Sequence, residues 1–439
     1  MSTVPGIAPK LRLSDIQTFK SLKHRDFRLL WAGTIFFAAG NWIQQIAIGW
    51  LMYEETGSAF LVGAVSGART LPFLLIGPVA GVFSDRMDRR KMLLADQFFL
   101  AALALLFALA VATDHAKPWN IILFSFLSGA GYSIMNPLRQ TIIANVVPKA
   151  DVPNAIALGS AAFNFNRVLG PALGGVLITL SGPEMNFLIQ GCCYLVVSII
   201  VFPMNAQPAR AEGKPKTSPR ADMAEGVRYV LSNKPIFSLI LLAIIPSFFL
   251  MPFTVWLMPV FAKDVLHQEA DGLGWLSAFF GIGGLLGVLI LASSAGSGKR
   301  HKGQMTTQAV AGIAAGLALV GLSRMTSVPF AMAFLLAEGA ATLSFAAMNN
   351  TRLQSMLPDA MRGRVMGIYM VNVGLAPAGA LIGGSIAEHY GAEDAMLVGA
   401  LMSVMLMIGI CVAYRKVLWS EPGIIEVKEG RVTQGGGDG

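Results

Sequence analysis

About twelve apolar stretches of roughly 20 residues recur along the chain with short interruptions, and nothing else in the sequence constrains the fold as much, because a helix of that length crosses a hydrocarbon layer about 30 Å thick. They fall near residues 27–53, 59–83, 92–113, 119–141, 154–180 and 185–204, then near 236–262, 272–294, 306–323, 328–350, 364–388 and 394–416. Backbone polar groups in lipid must be satisfied within each segment or a closed barrel. The expected fold is therefore an all-α polytopic membrane protein of about twelve transmembrane helices. Only 13% of the 439 residues are charged and 54% are hydrophobic. Soluble domains carry about 25% charge, so little chain is left for one here.

The breaks between stretches organise the chain. Residues 1–26 form an N-terminal segment, 27–204 a first six-helix half, 205–235 a linker, 236–416 a second six-helix half and 417–439 a tail. The linker begins QPARAEGKPKTSPR, too polar and Pro-rich to pack, and continues as ADMAEGVRYVLSNKP, where Met223, Val227, Tyr229, Val230 and Leu231 alternate with charges as in an interfacial helix. The Gly-rich tail is expected to be disordered. Nothing in residues 1–26 resembles a cleaved signal peptide, so the first span is expected to stay as an anchor.

About 28 of the 33 Lys and Arg residues fall in the N-terminal segment, the alternate loops and the tail, which puts both termini in the cytoplasm of a bacterial inner membrane by the positive-inside rule. The net charge of +8 sits between apolar runs and forms no patch on a polar surface, so nucleic acid is excluded as a partner. Cys192, Cys193 and Cys411 lie inside apolar runs with no CxxC spacing, and the five histidines fall in loops or at helix ends. No metal site, haem pair or other cofactor is expected. The segment GSGKRHKG is too short for a phosphate-binding loop, which argues against ATP-driven transport.

An internal repeat divides the chain. MNPLRQTIIANVVP (135–148) precedes a span with Gly174 and Gly175, and MNNTRLQSMLP (348–358) precedes one with Gly383 and Gly384. The offset of about 210 residues makes the halves a parallel duplication.

The loop after the second span reads Gly81, Val82, Phe83, Ser84, Asp85, Arg86, Met87, Asp88, Arg89, Arg90, Lys91. It resembles the signature of the major facilitator superfamily, with Asp88 standing where that signature has its second glycine. The resemblance implies a conformational latch of Gly81, Asp85, Arg86, Arg89 and Arg90, with Asp85 facing Arg362 and Arg364 at the start of the eleventh span. In the fifth span Gly170, Pro171, Gly174 and Gly175 resemble the end of the motif of proton-coupled drug exporters, although Ala157 and Asn166 replace its earlier glycines. Asn164, Arg167, Pro171, Gly174 and Gly175 share one helical stripe, which close helix packing explains equally well. The whole segment 136–175 resembles the branch containing the enterobactin exporter and transmembrane secretion effectors. That implies a monomeric secondary transporter, lodged in the lipid bilayer, that exports a small siderophore- or drug-like molecule in exchange for protons. Import or uniport of a metabolite on the same fold stays open, as direction depends on gradients and coupling.

Charged residues inside a membrane are costly and mark function. Arg69, Arg167 and Glu338 lie mid-span, and Glu338, with no cation nearby in sequence, is a candidate for proton coupling. Asp96 is expected to pair with the basic 86–91 loop, with a coupling role as its alternative. Asn41, Gln44 and Gln45, at i, i+3 and i+4, form a polar stripe expected to line a cavity.

Overall fold

The computed structural model describes residues 17–75, 88–204, 219–295, 301–419, 427–428 and 431–432. Each apolar stretch is helical over its described residues. The first half comprises α1 (Arg25–Thr56), α2 (Ala59–Leu75), α3 (Arg89–Ala112), α4 (Pro118–Val146), α5 (Val152–Ser181) and α6 (Pro183–Val201). Helix α7 (Pro219–Ser232) lies in the linker. The second half begins with α8 (Lys234–Val265), followed by α9 (Ala270–Ala295), α10 (His301–Ser323) and α11 (Val328–Met356). Its eleventh span is split at Met370 into α12 (Asp359–Tyr369) and α13 (Val371–Tyr390), and α14 (Ala392–Ala413) completes it. In the tail, Val427–Lys428 pairs antiparallel with Arg431–Val432.

Ten of these helical segments are long and apolar enough to cross a membrane. The two others are α2, described only to Leu75, and α5, 30 residues long but interrupted by Asn154, Asn164, Asn166 and Arg167. Helices α4 and α11 run about a turn or more past the expected spans, to Val146 and Met356, because the repeat segments that follow them in sequence continue as helix. Helix α8 passes through π-helical turns at Pro246–Leu250, Pro252–Trp256 and Phe261–Val265. Pro246, Pro252 and Pro259 each remove a backbone donor, and the wider turns absorb the loss. Helices α5 and α13 stop at Gly182 and Gly391, whose φ of 81° and 89° lets the chain reverse within one residue.

Asp88, the residue that departs from the loop signature, has a local structural role. Its carboxylate accepts hydrogen bonds from the amides of Arg90 at 3.0 Å and Lys91 at 3.3 Å, capping α3. Gly81, Asp85 and Arg86 of the expected latch lie outside the described residues. Arg90 donates to the Phe202 carbonyl and stacks on its ring at 5.3 Å, and Arg89 is buried. Arg364 pairs with Glu225 of α7 at 2.9 Å, so the linker helix packs on α12.

The apolar core is divided in a way that sets the shape. One cluster, at the face away from the termini, draws on both halves: Trp50, Phe107 and Phe187 from the first, with Leu257, Phe261 and Leu335 from the second. Toward the termini there are two separate clusters, one around Phe27, Leu93 and Leu138 and another around Leu239, Phe345 and Met407. Among the described residues the two six-helix halves therefore share a buried core away from the termini and have separate cores toward them. Outward-facing leucines such as Leu106, Leu180 and Leu289 remain exposed, as a lipid-facing surface requires.

Candidate functional site

Two helix pairs join the halves. In one, α5 packs on α9: a side chain at Gly175 would strike the Ala270 carbonyl and approach Gly274 Cα to 2.9 Å. In the other, α2 packs on α13: a side chain at Gly384 would lie 2.7 Å from the Ala59 carbonyl oxygen, and one at Gly63 would strike the Ala380 carbonyl. Gly175 and Gly384 occupy equivalent places in the duplication, each receiving the start of a helix from the opposite half. Gly170 and Gly174 instead seat α5 on α1, against Trp42 and Ile43. Close backbone approach is what glycine supplies in a membrane, where packing replaces the hydrophobic effect.

Polar contacts close the face away from the termini. Tyr53 donates to Asp264, and Lys263 Nζ lies 5.4 Å from the Trp50 ring centre and 5.8 Å from that of Tyr53. Glu388 accepts from Ser58 Oγ at 3.1 Å and from the Phe60 amide at 3.2 Å. Thr179 Oγ1 accepts from the Asp271 amide at 3.2 Å.

Beneath this closure, between the halves, lies a partly open cavity. Its wall includes Trp42, Gln45, Arg167 and Pro171 from α1 and α5, and Met251, Thr254, Ser277 and Phe280 from α8 and α9. Arg167 bridges the two sides, its guanidinium 5.5 Å from the Trp42 ring centre and 5.5 Å from that of Phe280. Thr254 on the wall donates to Glu338 of α11, which is 1% exposed and whose Oε2 has no hydrogen-bond partner.

The other candidates are placed less directly. Of the stripe on α1, Gln45 reaches the cavity, whereas Gln44 does not: it donates to Ser128 Oγ at 2.9 Å and accepts from Gln190 at 2.8 Å, inside the first half. Asn41 accepts from Arg69 at 2.6 Å, leaving Arg69 Nη1 unpartnered among the described residues. Three amides in adjacent positions therefore serve three different neighbours. Asp96 accepts from Gln97 at 3.1 Å and packs against Gly131, not against a basic residue of its loop among those described. Asn164 donates to the Ser160 carbonyl at 3.0 Å.

Sequence reasoning missed Thr254 and Phe280. Thr254 and Phe280 carry no local mark. Among the described residues no cluster of three His, Cys, Asp or Glu could hold a metal.

Two duplicated six-helix halves, each clasping the other through paired glycine contacts around a central cavity, define a secondary transporter of the major facilitator fold. Residues 16–421 match the family model described as transmembrane secretion effector, and the chain belongs to that family. It is 26% identical to the multidrug efflux pump Tap of Mycolicibacterium fortuitum over 86% of this chain and 92% of the relative. It is 25% identical to the staphyloferrin A transporter of Staphylococcus aureus over 80% and 87%. Among solved structures, an inward-facing, occupied bacterial homologue of the human lysosomal transporter Spinster superposes with a TM-score of 0.70 at 16% identity, over 90% of this chain and 98% of the other. The nucleoside transporter NupG gives 0.69 at 15% identity, over 89% and 99%.

Proposed function

We propose that the protein exports small organic molecules of siderophore or drug type across a bacterial inner membrane, as a monomer, by alternating access driven by proton antiport. Both termini are cytoplasmic in this reading, so the cavity is open to the cytoplasm and closed to the outside. The observation that carries the proposal is the contact between cavity and acid: Thr254 on the wall is bonded to Glu338, a carboxyl with a free oxygen and no basic residue bonded to it among those described. Such a group can exchange its proton when the cavity changes its water content. The multidrug efflux pump among the relatives supports the direction, and the staphyloferrin A transporter supports the class of cargo. Asp85 and its basic neighbours remain the proposed latch on the cytoplasmic side.

Everted vesicles test this. Addition of a proton gradient should drive uptake of substrates from a panel of dyes and siderophores, and a protonophore should abolish it. Accumulation in intact cells would overturn the export reading. Glu338→Gln should remove the dependence of transport rate on pH while the protein stays folded; retained dependence would clear Glu338 of the coupling role.

A further inference from the structure

We propose that the cavity is built for an amphipathic organic anion, a carboxylate or similar acid joined to an aromatic or otherwise apolar body. The inference rests on the reading of the cavity as a transport site and adds the charge of its cargo. The first half holds three interior guanidinium groups: Arg69 bonds Asn41 and Arg167 lies over Trp42, neighbouring positions of α1, and Arg139 of α4 lies beside Gly159 of α5. The interior carboxylate in the same half, Asp96, is turned toward Gln97 and Gly131 between α3 and α4 and is bonded to none of the three. Glu338 lies in the opposite half, held by Thr254.

Cations gathered in a low-dielectric interior repel one another and are costly unless paired. Here the pairing is incomplete in a specific way. Arg69 is 8% exposed, and its Nη1 finds no partner among the described residues. Arg167, on the cavity wall, makes its contacts through the faces of Trp42 and Phe280. The Arg167 guanidinium makes no hydrogen bond among the described residues, and its N–H groups match the two oxygens of a carboxylate. The surroundings suit the rest of such a molecule. Trp42 meets Phe163 with ring centres 5.8 Å apart, and Tyr132 meets Phe73 at 5.5 Å, forming an aromatic surface beside the charges. An anion entering from the side where the halves have separate cores would neutralise the cluster and lay its apolar part on these rings.

The test uses the full chain in lipid nanodiscs and two dyes of similar size and opposite charge, carboxyfluorescein and rhodamine 6G, with binding read by fluorescence polarisation. Carboxyfluorescein should bind more tightly than rhodamine 6G. Arg167→Gln should weaken carboxyfluorescein about tenfold, and Arg167→Lys should retain most of the affinity. Arg139→Gln, a variant that leaves the contact between the halves untouched, should weaken it several-fold. Rhodamine 6G should not weaken in any variant. Tighter binding of the cation, absence of anion binding, or an affinity for carboxyfluorescein indifferent to both glutamine substitutions overturns the proposal. Energised uptake of rhodamine 6G without carboxyfluorescein binding would keep the transport reading and sink this one. Binding of carboxyfluorescein by a protein that moves nothing in vesicles would do the reverse.

Discussion

The chemistry of single side chains here is set by which neighbour the fold supplies. Asp88 replaces a glycine of the loop signature, and its caps on the Arg90 and Lys91 amides explain why the helix tolerates it. Asp88→Ala should lower stability by about 1 kcal/mol, while Asp88→Gly should cost only a few tenths, measured by thermal unfolding in detergent. Equal losses would mean that the cap is not what Asp88 provides. At Asp151, an ion pair with Lys20 at 2.9 Å and a hydrogen bond from His24 at 3.0 Å hold the carboxyl below the usual range. Because the folded value is the lower one, its contribution is fully present above the unfolded value of about 3.9 and is lost as the pH falls through the folded value. Asp151 itself thus gives no pH dependence near neutrality. Asp151→Asn should release the 3-10 helix Gln17–Lys23, whose Ser21 also bonds the Asp151 carbonyl and Asn154. Trypsin should then cut at Lys20 and Lys23 several-fold faster at pH 7.5, and an unchanged rate would show that the ion pair does not hold this segment.

Between elements, close helix approach does most of the work. Gly175 against Ala270 and Gly384 against Ala59 let α5 and α13 each dock the start of a helix from the other half. A leucine at either place would need the helices to separate by more than an ångström, since the present gaps leave no room for even a methyl group. Gly175→Leu should therefore favour the state in which this face is open, with transport slowed while expression persists. An engineered Ser277→Cys on the cavity wall, in a background lacking Cys192, Cys193 and Cys411, should react faster with an impermeant maleimide applied from that face. Labelling that does not change would show that the glycine contact does not hold the closure. The linker helix adds a second coupling between elements, through Glu225 and Arg364.

For the molecule as a whole, the division of the apolar core decides the conformation: shared at one face, split in two at the other. The polar contacts of Tyr53 with Asp264 and of Ser58 with Glu388 stand on the shared side. Asp264→Asn should shift the balance toward opening of this face by roughly 1 kcal/mol, a change of about fivefold in population. Labelling of Ser277→Cys from that face is the readout here too. No acceleration would assign the closure to packing rather than to this polar contact.

The helical fold and the membrane as solvent were legible in the sequence, because both rest on local hydropathy. The site was legible only in part. Arg167 and Glu338 stood out because a charge within an apolar run is costly wherever the helix turns. The stripe Asn41, Gln44 and Gln45 read as one feature, yet the fold assigned its members to an arginine, to a buried amide network and to the cavity. A helical period gives the angle between side chains but not the rotation of the helix against its neighbours. Thr254 and Phe280 were invisible for the same reason, since their meaning comes from Glu338 and Arg167, far away in the chain. What the sequence determined by itself was therefore a helical membrane bundle with basic loops and a few costly charges. Only the tertiary structure decided which charges share a cavity and which face is closed, because both depend on the packing of one half against the other.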